Sequence, residues 1–144
     1  MTTLEQAAEK FAKLTGRLRQ LRPGAFPLQD VGISPSLVVL LDYVADQPGC
    51  GIRQMALGLN LATPTVSISV QQLEKAGFLE RQPDPQDGRT VQLFLSTTGQ
   101  ELHQRISHFR NEKFGRLLAG LTQQERNTLL ELLEKALSAA EDQE

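Results

Sequence analysis

Two long apolar stripes at helical spacing, one near each end of the chain, flank a short central run in which the periodicity changes from helix to strand. That pattern restricts the chain to a mainly helical fold with very little sheet. In the first stripe Leu4, Ala7, Phe11, Leu14, Leu18 and Leu21 recur at three- and four-residue steps, which places them on one face of a helix. The last stripe is Leu129, Leu132, Leu133, Ala136, Leu137 and Ala140. It follows Thr122-Gln-Gln-Glu125, where hydroxyl and carboxylate would each satisfy a free backbone N–H of the first turn. Before it, a long helix capped by Ser96 or Thr97 carries Leu102, Ile106, Phe109, Leu117 and Leu118.

Between the stripes the elements are short. "RPGAFPLQDVGI" breaks the first helix, because its prolines and glycines do not continue one. Ser34-Pro35 reads as a cap hydroxyl followed by proline at the first helical position, with Leu37, Leu40, Leu41 and Val44 as the buried face. "DQPGCG" ends that helix. A short helix over 52–59 follows, then a turn over 60–62. Thr63-Pro64 repeats the cap-plus-proline signature and opens a helix to about Ala76. Val66, Val70 and Leu73 form its buried face. Gly77 suits the left-handed position beyond its end, and Lys75 suits the last turn. "FLERQ" and "TVQLFLS" then read as strands, the second with Val91, Leu93 and Leu95 alternating with Gln92. "PDPQDGR" joins them as a tight reversal.

At 144 residues, 40% hydrophobic and 22% charged, the composition is that of one soluble globular domain. No apolar run spans a membrane and the first residues lack a signal-peptide core, so the expectation is a cytoplasmic protein without a membrane partner. The single Cys50 has no partner for a disulfide. It lies next to no base in sequence, as a redox-sensing thiolate would require, and reads as inert. Net charge is −2, which excludes a generic polyanion binder. Charge is uneven: residues 1–25 carry five bases against Glu5 and Glu9, whereas residues 97–144 carry six bases against eight acids. The basic stripe Lys10, Lys13 and Arg17 reads as a solvated face. His103 and His108 are five apart, the wrong spacing for one metal on a helix. No nucleophile elbow, metal motif or phosphate loop is present, so neither an enzyme nor a bound metal or other cofactor is expected.

The outer helices would leave their stripes half covered in a monomer. Burying each leucine stabilises by about 1.5–3 kcal/mol, so pairing with a second copy is the simplest solution, and a twofold dimer is the commonest form. The central order of helix, helix, three-residue turn, helix, strand, reversal and strand is a helix-turn-helix with a two-stranded wing. Such a unit sets its second helix in a DNA major groove. The outward face there carries Thr63, Thr65, Ser67, Ile68, Gln71 and Gln72. Amides bond adenine edges, hydroxyls reach bases or phosphate, and an aliphatic group meets a thymine methyl. The expected architecture is mainly α with a small β-wing. A winged helix-turn-helix DNA-binding domain over 34–95 is flanked by N- and C-terminal dimerisation helices over 1–33 and 96–144.

"LNLATPTVSISVQQLEKAGFLERQPDPQDGRTVQLFLSTTGQEL" resembles the core of the MarR family of winged-helix transcription regulators. The most specific parts are the V-S…L-E-K-A-G run, the D-P-x-D-x-R wing and L-S-T-T-G. The resemblance implies a homodimer built from the terminal helices, binding a pseudo-palindromic operator on double-stranded DNA. It further implies a repressor relieved by a small-molecule effector or an oxidant. By position, Asp87 and Arg89 match the wing's paired acid and base, expected to form a salt bridge that presents Arg89 to DNA. Arg53 is placed to touch phosphate, and Thr63, Thr65, Ser67, Ile68, Gln71 and Gln72 form the reading surface. The chain departs from the family pattern at Ile68, where members often carry arginine, and at Gln86 and Gly88, where they often carry bases. These departures motivate an alternative reading, a protein-interaction module that keeps the fold without binding DNA. The expected effector pocket lies between the first helix and the 34–44 helix, walled by Leu14, Leu18, Leu37, Leu41 and Tyr43.

Overall fold

A computed structural model of the chain describes residues 1–21 and 31–143. In chain order the elements are α1 (Leu4–Gln20), α2 (Pro35–Asp46), α3 (Ile52–Leu59), α4 (Thr63–Lys75), β1 (Leu79–Pro83), β2 (Val91–Leu95), α5 (Thr97–Ala119) and α6 (Gln123–Glu141). Most of the break expected after the first helix, residues 22–30, lies outside the described residues. The chain forms two compact units, Met1–Gly24 with Arg110–Glu144, and Ala25–Phe109.

In the second unit, α2 buries Leu37, Leu40, Leu41 and Val44, and α4 buries Val66, Val70 and Leu73. These faces close on Met55 and Ala56 of α3 and on Phe78, Leu79 and Leu93 of the hairpin. Leu102 and Ile106 of α5 join the same cluster. That is why this unit runs to Phe109, past the boundary at residue 95 expected from the sequence. Close packing of seven side chains under 2% exposed makes the cluster sensitive to lost volume.

The helix ends differ from expectation in two places. Ser34 occupies the cap position of α2, but its hydroxyl bonds Ser36 at 2.8 Å and makes no cap bond. The cap residue of α4 is Ala62, so Thr63 is already helical and Pro64 sits within the first turn, where a missing N–H leaves no bond unmade. At the other end of α4, Gly77 is left-handed at φ 86° and donates its N–H to the Glu74 carbonyl at 3.0 Å. This turns the chain into β1.

β1 and β2 pair antiparallel, from Leu79 opposite Leu95 to Pro83 opposite Val91. A third stretch supports the hairpin root. Gly49 donates to the Leu93 carbonyl at 2.8 Å, and Leu93 donates to the Cys50 carbonyl at 2.9 Å. Ser96 then caps α5, its Oγ accepting the Gly99 N–H at 3.0 Å. A Cβ at Gly99 would lie 2.0 Å from the Phe78 carbonyl oxygen, so glycine is what lets the helix start against the strand.

In the first unit, α1 and α6 bury no residue at all. Both begin with reciprocal capping boxes, Thr3 with Gln6 and Thr122 with Glu125. The second is the box expected from Thr122-Gln-Gln-Glu125; the first adds to that expectation. Phe11, Leu14, Leu117, Leu132 and Leu137 are exposed, as the half-covered stripes require. Among the described residues, no helix is long and apolar enough to cross a membrane.

Candidate nucleic-acid interface

α3 and α4 are joined by a turn that only a tolerant residue makes easily. Asn60 is left-handed at φ 54°, a conformation asparagine adopts more readily than most residues. Leu61 then donates back to the Ala56 carbonyl at 2.9 Å. With Val66, Val70 and Leu73 anchored, the opposite face of α4 points outward. Thr63, Thr65, Ile68, Gln71 and Gln72 are exposed, and Ser67 is half-buried. The sequence-derived reading surface therefore lies on one helix face with Ile68 at its centre. Arg53, in the first turn of α3, is exposed as well.

The wing tip is organised by an aspartate that sequence reasoning passed over. Asp84 Oδ1 accepts the backbone N–H of Gln86 at 2.8 Å and that of Asp87 at 3.4 Å, and Oδ2 accepts the Thr90 hydroxyl at 3.3 Å. These bonds, led by the one from Gln86, hold the Asp84 carboxyl below its ordinary value. Asp87 repeats the motif, its Oδ1 accepting the backbone N–H of Arg89 at 3.1 Å. The expected Asp87–Arg89 salt bridge is not among the ion pairs of the described residues. Two residues of separation in a tight turn bring the carboxylate over the amide rather than the guanidinium. The signal for Asp84 was present, since an aspartate two residues before a turn amide is the pattern of an Asx turn.

Helix and wing are tied together by an ion pair between Glu74 of α4 and Arg81 of β1. Arg81, itself exposed, is thereby paired within the protein, which leaves Arg53, Lys75 and Arg89 as the exposed cations of the described motif and wing outside that pair. His103 of α5 meets Asp42 of α2 at 3.0 Å, half-buried. These pairs are 7 and 61 residues apart, and no local pattern announces either. Cys50 is buried, and burial pushes its thiol up from its ordinary value, the opposite of what a reactive thiolate needs. The described residues contain no group of three or more side chains suited to hold a metal.

The five expected pocket walls are not gathered in one lining within either unit. Leu14 and Leu18 line an open apolar groove of about 460 Å³ with Phe11, Leu21, Leu117, Leu129 and Leu133. Leu37 and Leu41, at 7% and 0% exposure, are core residues of the second unit. Tyr43 packs over Gly58, and its hydroxyl donates to the Gln54 carbonyl at 3.3 Å.

This arrangement defines a winged helix-turn-helix protein. The MarR family model matches residues 33–91. HTH-type transcriptional regulator BilQ of Clostridium symbiosum (strain WAL-14163) is 30% identical over 108 residues, which cover 75% of this chain and 75% of that protein. The putative transcriptional regulatory protein for the hcr operon of Thauera aromatica is 28% identical, over 72% of this chain and 63% of that one. The structure of Streptococcus pneumoniae FabT in complex with DNA aligns with a TM-score of 0.81 at 22% identity, covering 99% of this chain and 100% of that one. The PcaV regulator of Streptomyces coelicolor, in complex with its natural ligand, aligns at 0.64 and 22% identity, covering 96% and 94%. The chain belongs to the MarR family and is a helix-turn-helix transcriptional regulator, not an enzyme.

Proposed function

We propose that the protein is a homodimeric repressor that binds a pseudo-palindromic operator and releases it when a small effector binds. The observation that carries the DNA-binding part is the exposed polar face of α4 beside a wing bearing the exposed Arg89. Thr63, Thr65, Ser67, Ile68, Gln71 and Gln72 enter the major groove. Arg53 meets phosphate, and Asp87 positions the backbone of Arg89 at the wing. Pairing of two copies is supported by α1 and α6, which leave their apolar stripes exposed. Two recognition helices then fit successive grooves roughly 34–36 Å apart, so a ligand that alters their spacing lowers affinity. The DNA complex of FabT and the ligand complex of PcaV support this reading by fold alone. The protein would act in the cytoplasm.

A gel shift with the DNA upstream of the protein's own gene, at low and moderate salt, tests the reading. A retarded complex at nanomolar to sub-micromolar protein supports it. If no genomic fragment shifts while the protein is a folded dimer, the fold serves instead as a protein-interaction module. The missing cations at Ile68, Gln86 and Gly88 favour that second reading.

A further inference from the structure

We infer that the half-site read by α4 consists of consecutive A·T pairs, with the Ile68 side chain against a thymine methyl. This rests on the DNA-binding reading above and adds what the DNA must contain. Guanine presents two acceptors in the major groove and is read by the paired donors of arginine or by lysine. α4 carries no arginine, and its single cation, Lys75, lies in the last turn, one turn beyond Gln71 and Gln72, where it meets backbone phosphate. Cytosine presents a donor, read by a carboxylate. The single carboxylate on α4 belongs to Glu74, and it is held by Arg81. A G·C pair therefore finds no bidentate or charged partner on this helix, and the hydroxyls of Thr63, Thr65 and Ser67 favour neither pair.

The groups that are exposed match the other pair. Gln71 and Gln72 each offer a donor and an acceptor in the geometry that adenine accepts. Ile68 is 58% exposed in the middle of a polar face, where an aliphatic side chain gains nothing from water. The thymine methyl is the apolar group that the major groove offers it. Residues three and four apart on a helix are neighbours, about 5–6 Å between Cβ atoms. Ile68, Gln71 and Gln72 thus cover a patch spanning adjacent base pairs, which makes the A·T pairs consecutive. Ile68 is the specificity-determining residue of this surface.

The test is selection from synthetic duplexes with a randomised central segment, using the full-length protein. The expected product is an inverted repeat whose half-sites contain a run of A·T pairs. Replacing the thymines of that run by deoxyuridine removes the methyl alone. Wild type should lose about fourfold in affinity for each methyl it contacts, or about sixteenfold over the two half-sites, whereas Ile68→Ala should bind both duplexes equally. Ile68→Arg, at an exposed position, should bring guanine into the selected half-site. Selection of G·C pairs throughout the half-site by wild type overturns the inference and leaves DNA binding standing. Equal deoxyuridine losses in wild type and Ile68→Ala also overturn it. Capture of no duplex by the folded protein overturns the DNA-binding reading and this inference with it.

Discussion

Asp84 and Thr90 close the wing tip on itself: Asp84 donates its backbone N–H to the Thr90 carbonyl at 3.1 Å and accepts the Thr90 hydroxyl at 3.3 Å. The same carboxylate holds the amides of Gln86 and Asp87, so one side chain fixes the loop that presents Arg89. Asp84→Ala should weaken operator binding at least fivefold, since it removes the acceptor of three bonds in each wing and even one lost bond costs about 1 kcal/mol. Asp84→Asn should restore most of it, since the amide oxygen still accepts the two backbone N–H groups while its NH2 can only donate to the Thr90 hydroxyl. Titration of operator affinity distinguishes the two variants. The pH dependence has a definite sign. The folded carboxyl lies below its ordinary 3.8, so its stabilisation is complete above that value and is lost as pH falls through the lower, folded one. Wing order, followed by amide chemical shifts, should be unchanged between pH 5 and 8 and fail only under strong acid.

Gly99→Ala should destabilise the protein by about 1–3 kcal/mol or more, as overpacking does. The added carbon meets the backbone oxygen of Phe78, which has no rotamer through which to yield. The midpoint of urea unfolding measures the loss, and an unchanged midpoint would contradict the close approach of α5 to β1.

Leu41→Ala should cost about 2–5 kcal/mol, the range for a fully buried leucine. Leu41 is wholly inaccessible, so its role is core packing. A thermal melt of the variant should show this loss. A stable variant with altered effector response would instead return Leu41 to the wall of a pocket.

Operator affinity should fall only modestly with salt. Arg53, Lys75 and Arg89 from each of two protomers would give a slope of log affinity on log salt near −5, whereas ten phosphate contacts would give about −9. Arg89→Ala should flatten the slope by about two units, one contact per protomer. Fluorescence anisotropy across a salt series reads both values, and a wild-type slope near −9 would require further cations at the DNA.

Leu137→Asp should convert the proposed dimer to monomer. The side chain is 59% exposed in the single chain, and the substitution puts a charge into the face expected to meet the partner. Sedimentation velocity at micromolar protein measures the change. A variant that remains dimeric would move the interface away from α6.

Elements with local causes were legible in the sequence. The apolar spacing of Val66, Val70 and Leu73 identified the buried face of α4, and the Thr122–Glu125 pattern identified the start of α6 because a capping box is written within four residues. Gly77 was legible for the same reason. The pairs Glu74–Arg81 and Asp42–His103 were not, since each depends on how separate elements dock, and charge alone names no partner. The error at Thr63 is of another kind. A threonine before proline satisfies the cap pattern, but the chain enters α4 one residue earlier, so the hydroxyl is exposed on the first turn instead of capping it. The Asp87–Arg89 bridge was a matter of choosing the wrong donor on the right residue.

Leu93 exchanges backbone bonds with Gly49 and Cys50, while the tip of the same hairpin holds itself together through Asp84, Asp87 and Thr90. One end is sewn to a segment more than forty positions earlier in the chain; the other depends on contacts within seven residues. Amide hydrogen exchange along the hairpin should therefore be graded, slow at the root and fast at the tip. The wing behaves as a clamped beam, free to adjust its end to an irregular surface without loosening its seat in the core.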